Sequence, residues 1–312
     1  MKAALAAVLW LMLASLSYGQ TVKPLVKLEA PGELRFATVC AGGGSIAGAA
    51  GEHDVYAWSL PSGTRRSVGV KDGHISLMTC NGKALAAGFR DGTVVVFDAA
   101  GNEKRRIEMK HELAAVALSS DGDRLAVATI NSPVQLWDVA SGKLLWTGST
   151  DFGNTTAIGI VPEGNLIVAA DGDTHIRGYD PKGKLVYSVD SGLLEPFDLS
   201  LSADGKKFAL AGAEGTVELY DSATGKRLNK SESSGNPIFA VALAPEGMKV
   251  IALELDAYRL EQVAIGYWDT TDTTMKRLAV EPKTVRGFGK SDTGLLLVRQ
   301  EASGKISVDS VE

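Results

Sequence analysis

Two groups of residues in this sequence carry side chains of the types that bind metal ions. Asp171 and Asp173 lie two positions apart in the stretch ADGDTH, and carboxylate oxygens suit Ca²⁺, which takes about six to eight oxygen ligands. Two carboxylates at one turn predict a solvated turn more strongly than a calcium site. None of the four histidines has a partner at the spacing of a zinc site. They are His53, His74, His111 and His175. We therefore predict neither a metal ion nor another cofactor.

Two glycine-rich stretches have the spelling of phosphate-binding loops. Gly42–Ala47 (GGGSIA) fits G-x-G-x-x-A, and Gly287–Ser291 (GFGKS) contains the last residues of a G-x-x-x-x-G-K-S loop. Both motifs need a helix directly afterwards, because the N-terminus of that helix holds the phosphate. Strand-like apolar residues follow instead, so both stretches are predicted to be turns. The sequence has no G-x-S-x-G and no H-E-x-x-H motif, and we predict a protein without enzymatic activity.

The elements that hold these residues repeat along the chain. A large apolar residue, usually followed by Asp, recurs at intervals of 39, 40, 42, 41, 48 and 40 residues. Its seven copies are Trp58, Phe97, Trp137, Tyr179, Tyr220, Trp268 and Val308. A period of about 40 residues is typical of repeat architectures. We expect the seven side chains to lie on equivalent strands and to be largely buried.

Each repeat has the pattern of four short strands joined by turns. In the third repeat the strands are predicted at 113–118, 124–129, 134–138 and 143–147, with Asp-Gly and Ser-Gly turns between them. Such a unit buries its two faces only by stacking against its neighbours. The fold class is therefore all-β, a seven-bladed β-propeller of four-stranded antiparallel blades.

The two ends of the chain are predicted to close the ring. The last repeat stops one strand short, whereas an extra strand, 23–30, precedes the first full repeat. If this N-terminal strand pairs as the outer strand of the last blade, the sheet edges left by an open ring disappear. One propeller domain then extends over 20–312.

The second repeat carries the clearest family pattern. Gly73-His74 begins it and Phe97-Asp98 ends it, and this arrangement resembles the WD-repeat propellers. The resemblance covers 20–312 in architecture, while the motif is degraded in the other repeats. By this resemblance the chain is identified as an exported, bacterial-type member of that family. The family places such a His and such an Asp in a buried structural hydrogen-bond network, which implies that role for His74 and Asp91.

One stretch is similar to a different class of propeller. Asp138–Trp146 (DVASGKLLW) is similar to the docking repeat of quinoprotein propellers, which bind pyrroloquinoline quinone, but the full motif occurs once. It keeps an alternative function open: an enzyme or cofactor binder of the central channel, such as a quinoprotein-like oxidoreductase or a lactonase-like hydrolase. The predicted innermost strands are mainly apolar, with Asp198 in PFDLSLS as the exception. We expect Asp198 to be a hydrogen-bonded channel residue.

Residues 1–19 have the pattern of a secretory signal peptide. Lys2 precedes an apolar run over 3–16, and Ser17 and Gly19 are small residues at positions −3 and −1 of a cleavage site. The run is shorter than the roughly 20 residues of a membrane span. We predict cleavage near Gly19 and export to the periplasm or the extracellular space. The mature chain would carry a formal charge of −6, since the total of −5 includes Lys2, and this argues against a nucleic-acid partner.

The two cysteines lie in adjacent repeats. Cys40 and Cys80 each occupy the first turn of a repeat, and export permits their oxidation. Equivalent points on adjacent blades are often farther apart than the roughly 7 Å between Cα atoms that a disulfide spans. The sequence leaves a disulfide between them open.

The sixth repeat contains an insertion that indicates a binding surface. From the first turn to the position after the large apolar residue the count is 17 in six repeats and 23 in the sixth. The extra residues fall between the second and third strands, where a loop stands on the rim, and surface loops often carry binding function. A tolerated surface insertion is the alternative. The rim is predicted to contain Asp256, Tyr258, Arg259 and Leu260, with His53 and Arg90 from equivalent turns.

The sequence as a whole predicts an exported, non-enzymatic propeller scaffold. Its partner is predicted to be a protein of unidentified nature bound at this rim. We expect neither a membrane span nor a nucleic-acid partner, and we expect the protein to be a monomer.

Overall fold

The computed structural model describes residues 20–40, 42–68, 73–148, 154–256, 258–259 and 261–312. These residues form 28 β-strands and one short 3-10 helix, Pro282–Thr284. The strands make seven four-stranded sheets, each antiparallel, and this confirms the predicted fold class. The predicted signal peptide, 1–19, lies outside the described residues.

Each blade starts at the central channel and adds strands outwards, except that the seventh takes its outermost strand from the start of the chain. The innermost strands of blades one to seven are β2 (Leu34–Val39), β6 (Ile75–Cys80), β10 (Leu113–Leu118), β14 (Thr155–Ile160), β18 (Pro196–Leu201), β22 (Ile238–Leu243) and β26 (Val285–Lys290). The second strands are β3 (Ser45–Ala50), β7 (Ala84–Phe89), β11 (Arg124–Thr129), β15 (Ile167–Asp171), β19 (Lys207–Gly212), β23 (Lys249–Leu255) and β27 (Leu295–Gln300). The third strands are β4 (Asp54–Ser59), β8 (Thr93–Asp98), β12 (Gln135–Asp138), β16 (His175–Tyr179), β20 (Val217–Asp221), β24 (Gln262–Asp269) and β28 (Ile306–Val311). The outermost strands are β5 (Arg65–Val68), β9 (Glu103–Glu108), β13 (Lys143–Thr147), β17 (Leu185–Asp190), β21 (Arg227–Lys230), β25 (Met275–Arg277) and β1 (Val22–Leu28).

The ring closes where the first and last strands of the chain meet. Strand β1 pairs antiparallel with β28, from Val22 opposite Val311 to Leu28 opposite Ile306. The predicted pairing of the N-terminal strand with the last blade is therefore confirmed. With this pairing the seventh blade has four strands like the other six.

Apolar layers between the blades hold the ring together. Within the described residues, seven clusters of buried apolar side chains are present, one at each junction of neighbouring blades. Because a blade is covered on both faces, its second strand has no solvent face, and all six residues of β7 are buried. The cluster between blades seven and one includes Leu28 of β1 together with Trp58 and Val298. Ring closure thus also completes a hydrophobic layer.

The seven repeat residues all lie on third strands, as predicted. Six of them are at most 3% exposed. Trp137 is only half-buried, so the expectation of a largely buried side chain is wrong for this copy. The indole nitrogens of Trp58 and Trp268 donate to the Glu29 and Asp272 carbonyls at 3.2 and 3.1 Å, whereas Nε1 of Trp137 has no acceptor among the described residues.

The two faces of the ring carry different connections. Turns between second and third strands lie on the same face as the links that lead from one blade to the next, and we name this the link face. Two contacts between such turns and the link that leads from the first blade to the second show that they share a face. His53 Nδ1, in a second-to-third turn, lies 2.7 Å from the carbonyl oxygen of Gly73 in a link. The N–H of Arg90 donates to the carbonyl of His74 at 2.9 Å.

A disulfide joins the first two blades on the opposite face. Cys40 directly follows β2 and Cys80 ends β6, and their Cα atoms are 4.7 Å apart. The two innermost strands therefore approach closely enough for the bridge that the sequence left open.

Replacing a fully buried repeat residue should destabilise the ring more than replacing the half-buried one. Trp268→Ala is expected to lower the free energy of unfolding by about 3–5 kcal/mol, because it leaves a large cavity between blades. Trp137→Ala should lower the free energy of unfolding by clearly less than Trp268→Ala does. Urea unfolding followed by far-ultraviolet circular dichroism measures both values. Equal losses for the two variants would contradict the burial described here.

Removing the disulfide should also lower the stability. The bridged residues are separated by 40 positions, and a loop of that length is worth about 4 kcal/mol in the chain-entropy model, with measured effects commonly about 2–5 kcal/mol. The double variant Cys40→Ala, Cys80→Ala and reduced wild type should therefore unfold at a similarly lower urea concentration than oxidised wild type. Intact mass before and after reduction should differ by two hydrogen atoms. Two titratable thiols in the unreduced, unfolded protein would show that no bridge forms.

Candidate functional site

The insertion in the sixth repeat lengthens the hairpin of β23 and β24. These strands have 7 and 8 residues, and residues 256–261 connect them. Asp256 organises the connection, because its Oδ1 accepts the N–H groups of Tyr258 and Arg259, both at 2.8 Å. The two N–H groups, Arg259 first, lower the pKa of Asp256. The carboxylate therefore stays ionised at neutral pH and holds the backbone in a turn.

The tip of this hairpin presents an aromatic ring and a cation to solvent. Tyr258 is 98% exposed, and Arg259 is exposed beside it. Leu260, the fourth residue predicted at this tip, lies outside the described residues. The structure thus places Tyr258 and Arg259 on the link face of the sixth blade, held from below by Asp256.

The other two predicted rim residues lie on the same face but on different blades. His53 is in the first blade and Arg90 in the second, each in the turn between the second and third strands. The Arg90 side chain is 72% exposed and its Nε lies 3.9 Å from Glu112. His53 Nε2 lies 3.6 Å from Glu52. The rim therefore combines an aromatic residue and charged groups of both signs.

The buried network implied for His74 and Asp91 is absent, and that prediction was wrong. Both residues are exposed. His74 Nδ1 lies 3.5 Å from Glu52, and its ring centroid is 5.5 Å from that of His53. Asp91 accepts the N–H of Thr93 at 2.8 Å within its own turn. His74 stands before the first residue of β6 and Asp91 before β8, so both lie on the rim beyond the apolar layers.

Two exposed apolar side chains on the link face were missed in the sequence. Ile130, between β11 and β12, is 45% exposed, and Leu194, in the link from the fourth to the fifth blade, is 57% exposed. Apolar residues within turns and links are the signal that points to them. Together with Tyr258 they give this face an apolar component on blades three to six.

The two aspartates considered for calcium hold an arginine instead. Arg177 donates to Asp171 and, at 2.9 Å, to Asp173, and Thr155 Oγ1 donates to Asp171 at 2.6 Å. Burial raises the pKa of Asp171 despite these partners. Partial burial raises the pKa of Asp173. The Arg177 guanidinium and the N–H of His175 together lower it by more, so the pKa lies below its ordinary value. Both carboxylates are therefore already paired with a cation, although the turn itself remains partly exposed. Among the described residues no cluster of three His, Cys, Asp or Glu side chains is placed to hold a metal ion.

Asp198 connects two innermost strands along the central channel. Its Oδ2 accepts the N–H of Val241 at 2.8 Å and its Oδ1 the N–H of Leu199 at 2.9 Å. Ser200 Oγ accepts the N–H of Leu243 at 3.0 Å in the same way. Side chains of the fifth blade thus pair with the backbone of the sixth, and Asp198 is the hydrogen-bonded channel residue expected from the sequence. Burial raises its pKa to about 7 against the effect of both N–H groups.

The channel is a cavity of about 480 Å³ lined by all seven innermost strands. Arg35, Arg286 and Lys290 contribute three cationic side chains to its wall, against the one carboxylate of Asp198. Lys290 donates to the carbonyl of Leu201, and burial lowers its pKa to about 8. Lys290 falls in a stretch predicted from the sequence to be a turn, whereas it ends the innermost strand β26. The cluster is not visible in the sequence, because only the closed ring brings the first and last blades together.

Seven four-stranded blades around such a channel define the protein as a β-propeller. A family model described as outer membrane protein assembly factor BamB matches residues 90–244, which run from the second blade to the innermost strand of the sixth. No helix within the described part of the chain is long and apolar enough to cross a membrane.

Curated relatives match parts of the chain at 24–28% identity. The chain is 28% identical, over 45% of its length, to an uncharacterized WD repeat-containing protein of Synechocystis sp.. It is 26% identical, over 59%, to Cell division cycle 20.1, cofactor of APC complex, of Arabidopsis thaliana. It is 24% identical, over 61%, to Mitochondrial division protein 1 of Candida glabrata. The chain spans only 40%, 42% and 25% of the length of these relatives.

Solved structures share the fold at low sequence identity. The β-propeller domain of Cps50 (Swd1) from Myceliophteria thermophila superimposes with a TM-score of 0.77 at 15% identity, covering 94% of this chain and all of that one. A chain of the mitotic checkpoint complex gives a TM-score of 0.74 at 14% identity, covering 93% and 95%. The chain is a seven-bladed β-propeller that is similar to WD-repeat proteins.

The raised pKa of Asp198 makes a directional prediction about stability. A carboxyl group whose folded pKa of about 7 lies above its ordinary value of 3.8 binds protons more tightly in the folded state. Its contribution to stability is therefore largest below about pH 4 and is lost as the pH rises to about 7. The free energy of unfolding of wild type relative to Asp198→Asn should fall by on the order of 1–3 kcal/mol between pH 5 and pH 8.

Urea unfolding at several pH values gives this difference, and any constant cost of the lost acceptor cancels in the comparison. A difference between the two proteins that does not change with pH would show that Asp198 titrates normally.

Proposed function

We propose that this protein is an exported, non-enzymatic scaffold that binds a protein partner through the link face. The hairpin of the sixth blade is the centre of the contact, and His53 and Arg90 lie toward its edge. The partner surface that fits this face has an apolar pocket for Tyr258 and acidic groups that pair with Arg90 and Arg259.

The exposure of Tyr258 carries this proposal. A tyrosine that is 98% exposed contributes nothing to the interblade layers, yet Asp256 holds the backbone beneath it in a defined turn. Tyr and Arg are enriched among the residues that dominate binding energy at interfaces. A turn that is already ordered also loses less conformational entropy when it binds.

The comparisons support a scaffold at a general level. The matched family description names an assembly factor of outer membrane proteins, one relative is named as the cofactor of a complex, and one structural neighbour belongs to a checkpoint complex. Each of these names refers to an assembly or to a complex. A fold by itself supports many functions, so the binding surface of this chain rests on its own residues.

Export belongs to the same proposal. The charged start at Lys2, the apolar run over 3–16 and the small residues before Gln20 support a cleaved signal peptide. A disulfide between Cys40 and Cys80 is also typical of an oxidising compartment. N-terminal sequencing of the protein from its native source tests this component, since an intact Met1 would exclude cleavage.

The alternative is an enzyme or cofactor binder of the channel, which the BamB-like match leaves open because the quinoprotein-like stretch Asp138–Trp146 lies within it. The structure assigns Trp146 a packing role. Its ring lies 5.4 Å from that of Tyr179 in the next blade, and its Nε1 donates to the Pro181 carbonyl at 3.1 Å. This tryptophan is on an outermost strand and does not line the channel. An absorption spectrum and a metal analysis of the purified protein distinguish the two functions, since a bound quinone or calcium would favour the enzyme.

Removing the exposed tip should abolish partner binding without unfolding the propeller. The double variant Tyr258→Ala, Arg259→Ala is expected to recover at least about tenfold less partner than wild type in a pull-down from the native extract, because losing interface anchors typically costs about 2 kcal/mol or more. The unfolding transition should not change, since both side chains are exposed.

A matched control removes a similar pair of side chains, one cationic and one apolar, from another surface. Lys184→Ala, Leu185→Ala also removes one exposed cation and one exposed apolar side chain, but on the outer edge of the fourth blade, and should bind like wild type. Recovery of the same partners at equal yield with all three proteins would exclude the hairpin as the binding site.

A further inference from the structure

The channel wall has a charge opposite to that of the whole protein. The chain carries a net charge of −5, while the ionisable side chains of the channel are Arg35, Arg286, Lys290 and Asp198. Three cations against one carboxylate in a narrow, partly dehydrated space attract anions. A volume of about 480 Å³ is in the range of small-molecule sites, roughly 300–1,000 Å³, and is too small for a folded domain.

Arg286, which lines this cavity, has one buried donor without an acceptor among the described residues. Its side chain is only 18% exposed, and its Nη1 donates to the carbonyl of Lys283 at 2.7 Å. Its Nη2 donates to Glu33 Oε1 at 3.4 Å in an ion pair with a side chain that is itself 84% exposed. The buried Nε has no acceptor among the described residues. A buried charged donor without an acceptor is costly, and an anionic ligand at Nε would satisfy it and would replace the solvent-exposed Glu33 at Nη2.

Gln262 supplies an unpaired acceptor in the same cavity wall. Its Nε2 donates to the carbonyl of Val285, the residue before Arg286, at 3.2 Å. This bond fixes the amide and leaves Oε1 buried without a donor among the described residues. The cavity thus has one donor without an acceptor and one acceptor without a donor, and both belong to residues at the junction of blades six and seven.

Close packing of β2 against β26 brings apolar surface to the same place. A Cβ atom on Gly287 would lie 1.8 Å from the carbonyl oxygen of Ala37, so only glycine lets the first and seventh blades approach this closely. Phe36 and Phe288, which flank these contacts along their strands, line the cavity. The Arg35 guanidinium lies 5.9 Å from the centre of the Phe36 ring. The wall therefore offers a cationic group, a hydrogen-bond acceptor and aromatic side chains.

We propose that the channel binds a small carboxylate that has an N–H group on the adjacent carbon and an apolar side chain. The carboxylate pairs with Arg286, the N–H donates to Gln262 Oε1, and the apolar side chain packs near Phe36 and Phe288. An N-acyl amino acid has this chemistry, and so has the C-terminal residue of a peptide. Gln262 begins β24 at the base of the sixth-blade hairpin, but the site includes neither Tyr258 nor Arg259 at the tip and does not depend on the scaffold function.

Isothermal titration calorimetry with four probes tests each contact. N-acetylphenylalanine contains every group. Its primary amide lacks the charge, and 3-phenylpropanoate lacks the N–H. The peptide acetyl-Gly-Gly-Phe carries the same terminal residue on a longer chain. We expect N-acetylphenylalanine to bind with a dissociation constant of about 1 mM or lower, the amide at least about tenfold more weakly, and 3-phenylpropanoate about three- to thirtyfold more weakly.

Three variants assign the contacts. The Arg286→Gln protein should bind N-acetylphenylalanine at least about tenfold more weakly than wild type, and it should bind the acid and its amide with equal affinity. Gln262→Leu should bind N-acetylphenylalanine and 3-phenylpropanoate equally. Arg90→Gln, which changes an exposed arginine on the link face, should bind like wild type. The Tyr258→Ala, Arg259→Ala protein should also bind like wild type, so a failure of this proposal and a failure of the scaffold proposal are distinguishable.

The outcomes decide whether the channel binds such a carboxylate and whether the ligand is a free molecule or a peptide C-terminus. Absence of binding by N-acetylphenylalanine and the peptide at about 10 mM, or equal affinity of wild type for acid and amide, overturns the proposal. Tighter binding of acetyl-Gly-Gly-Phe than of N-acetylphenylalanine supports it with a peptide C-terminus as the ligand. The reverse order supports it with a free N-acyl amino acid.

Discussion

Each blade of this propeller has two apolar faces, and neither face can be buried by the blade itself. The seven layers between neighbouring blades follow from that constraint, as does the need to close the ring. Closure depends on β1, the first strand of the chain, which pairs with β28 and completes the last blade. It contributes Leu28 to the layer between blades seven and one. An open ring would leave two large apolar faces exposed to other molecules.

Rigid stacking of the blades determines what the inner and outer surfaces can do. On the inside, the innermost strands of neighbouring blades lie close enough for Asp198 and Ser200 to accept N–H groups from the sixth blade. The bridge between Cys40 and Cys80 makes a covalent link of the same kind between blades one and two. On the link face some turn and link residues, such as Leu193, pack into the layers, whereas Ile130 and Leu194 are exposed. The hairpin that carries Tyr258 projects from this face, and its own Asp256 keeps it ordered.

The structure therefore separates two candidate binding regions by chemistry and by size. The link face is wide, contains exposed apolar residues such as Leu194 and Tyr258, and suits a protein surface. The channel is narrow and cationic, with Arg286 and Gln262 each holding an unpaired polar atom, and suits a small anion. WD-like propellers share the ring and differ in the residues placed on these surfaces. The similarity to solved structures at 14–15% sequence identity accordingly supports the ring-shaped fold. Which ligands this protein binds must be inferred from its own side chains.

The sequence by itself determined the blade count, the strand boundaries of the third repeat to within one residue, the closing strand and the position of the inserted hairpin. These features follow from local periodicity, from turn chemistry and from the recurrence of both along the chain. Only the tertiary structure decided that Asp171 and Asp173 hold Arg177, that His74 and Asp91 lie exposed on the rim, and that Cys40 reaches Cys80. It alone brought Arg35, Gln262 and Arg286 to one cavity. Those contacts join residues on different strands or blades, and their distances depend on how the closed ring sets the strands and blades against one another.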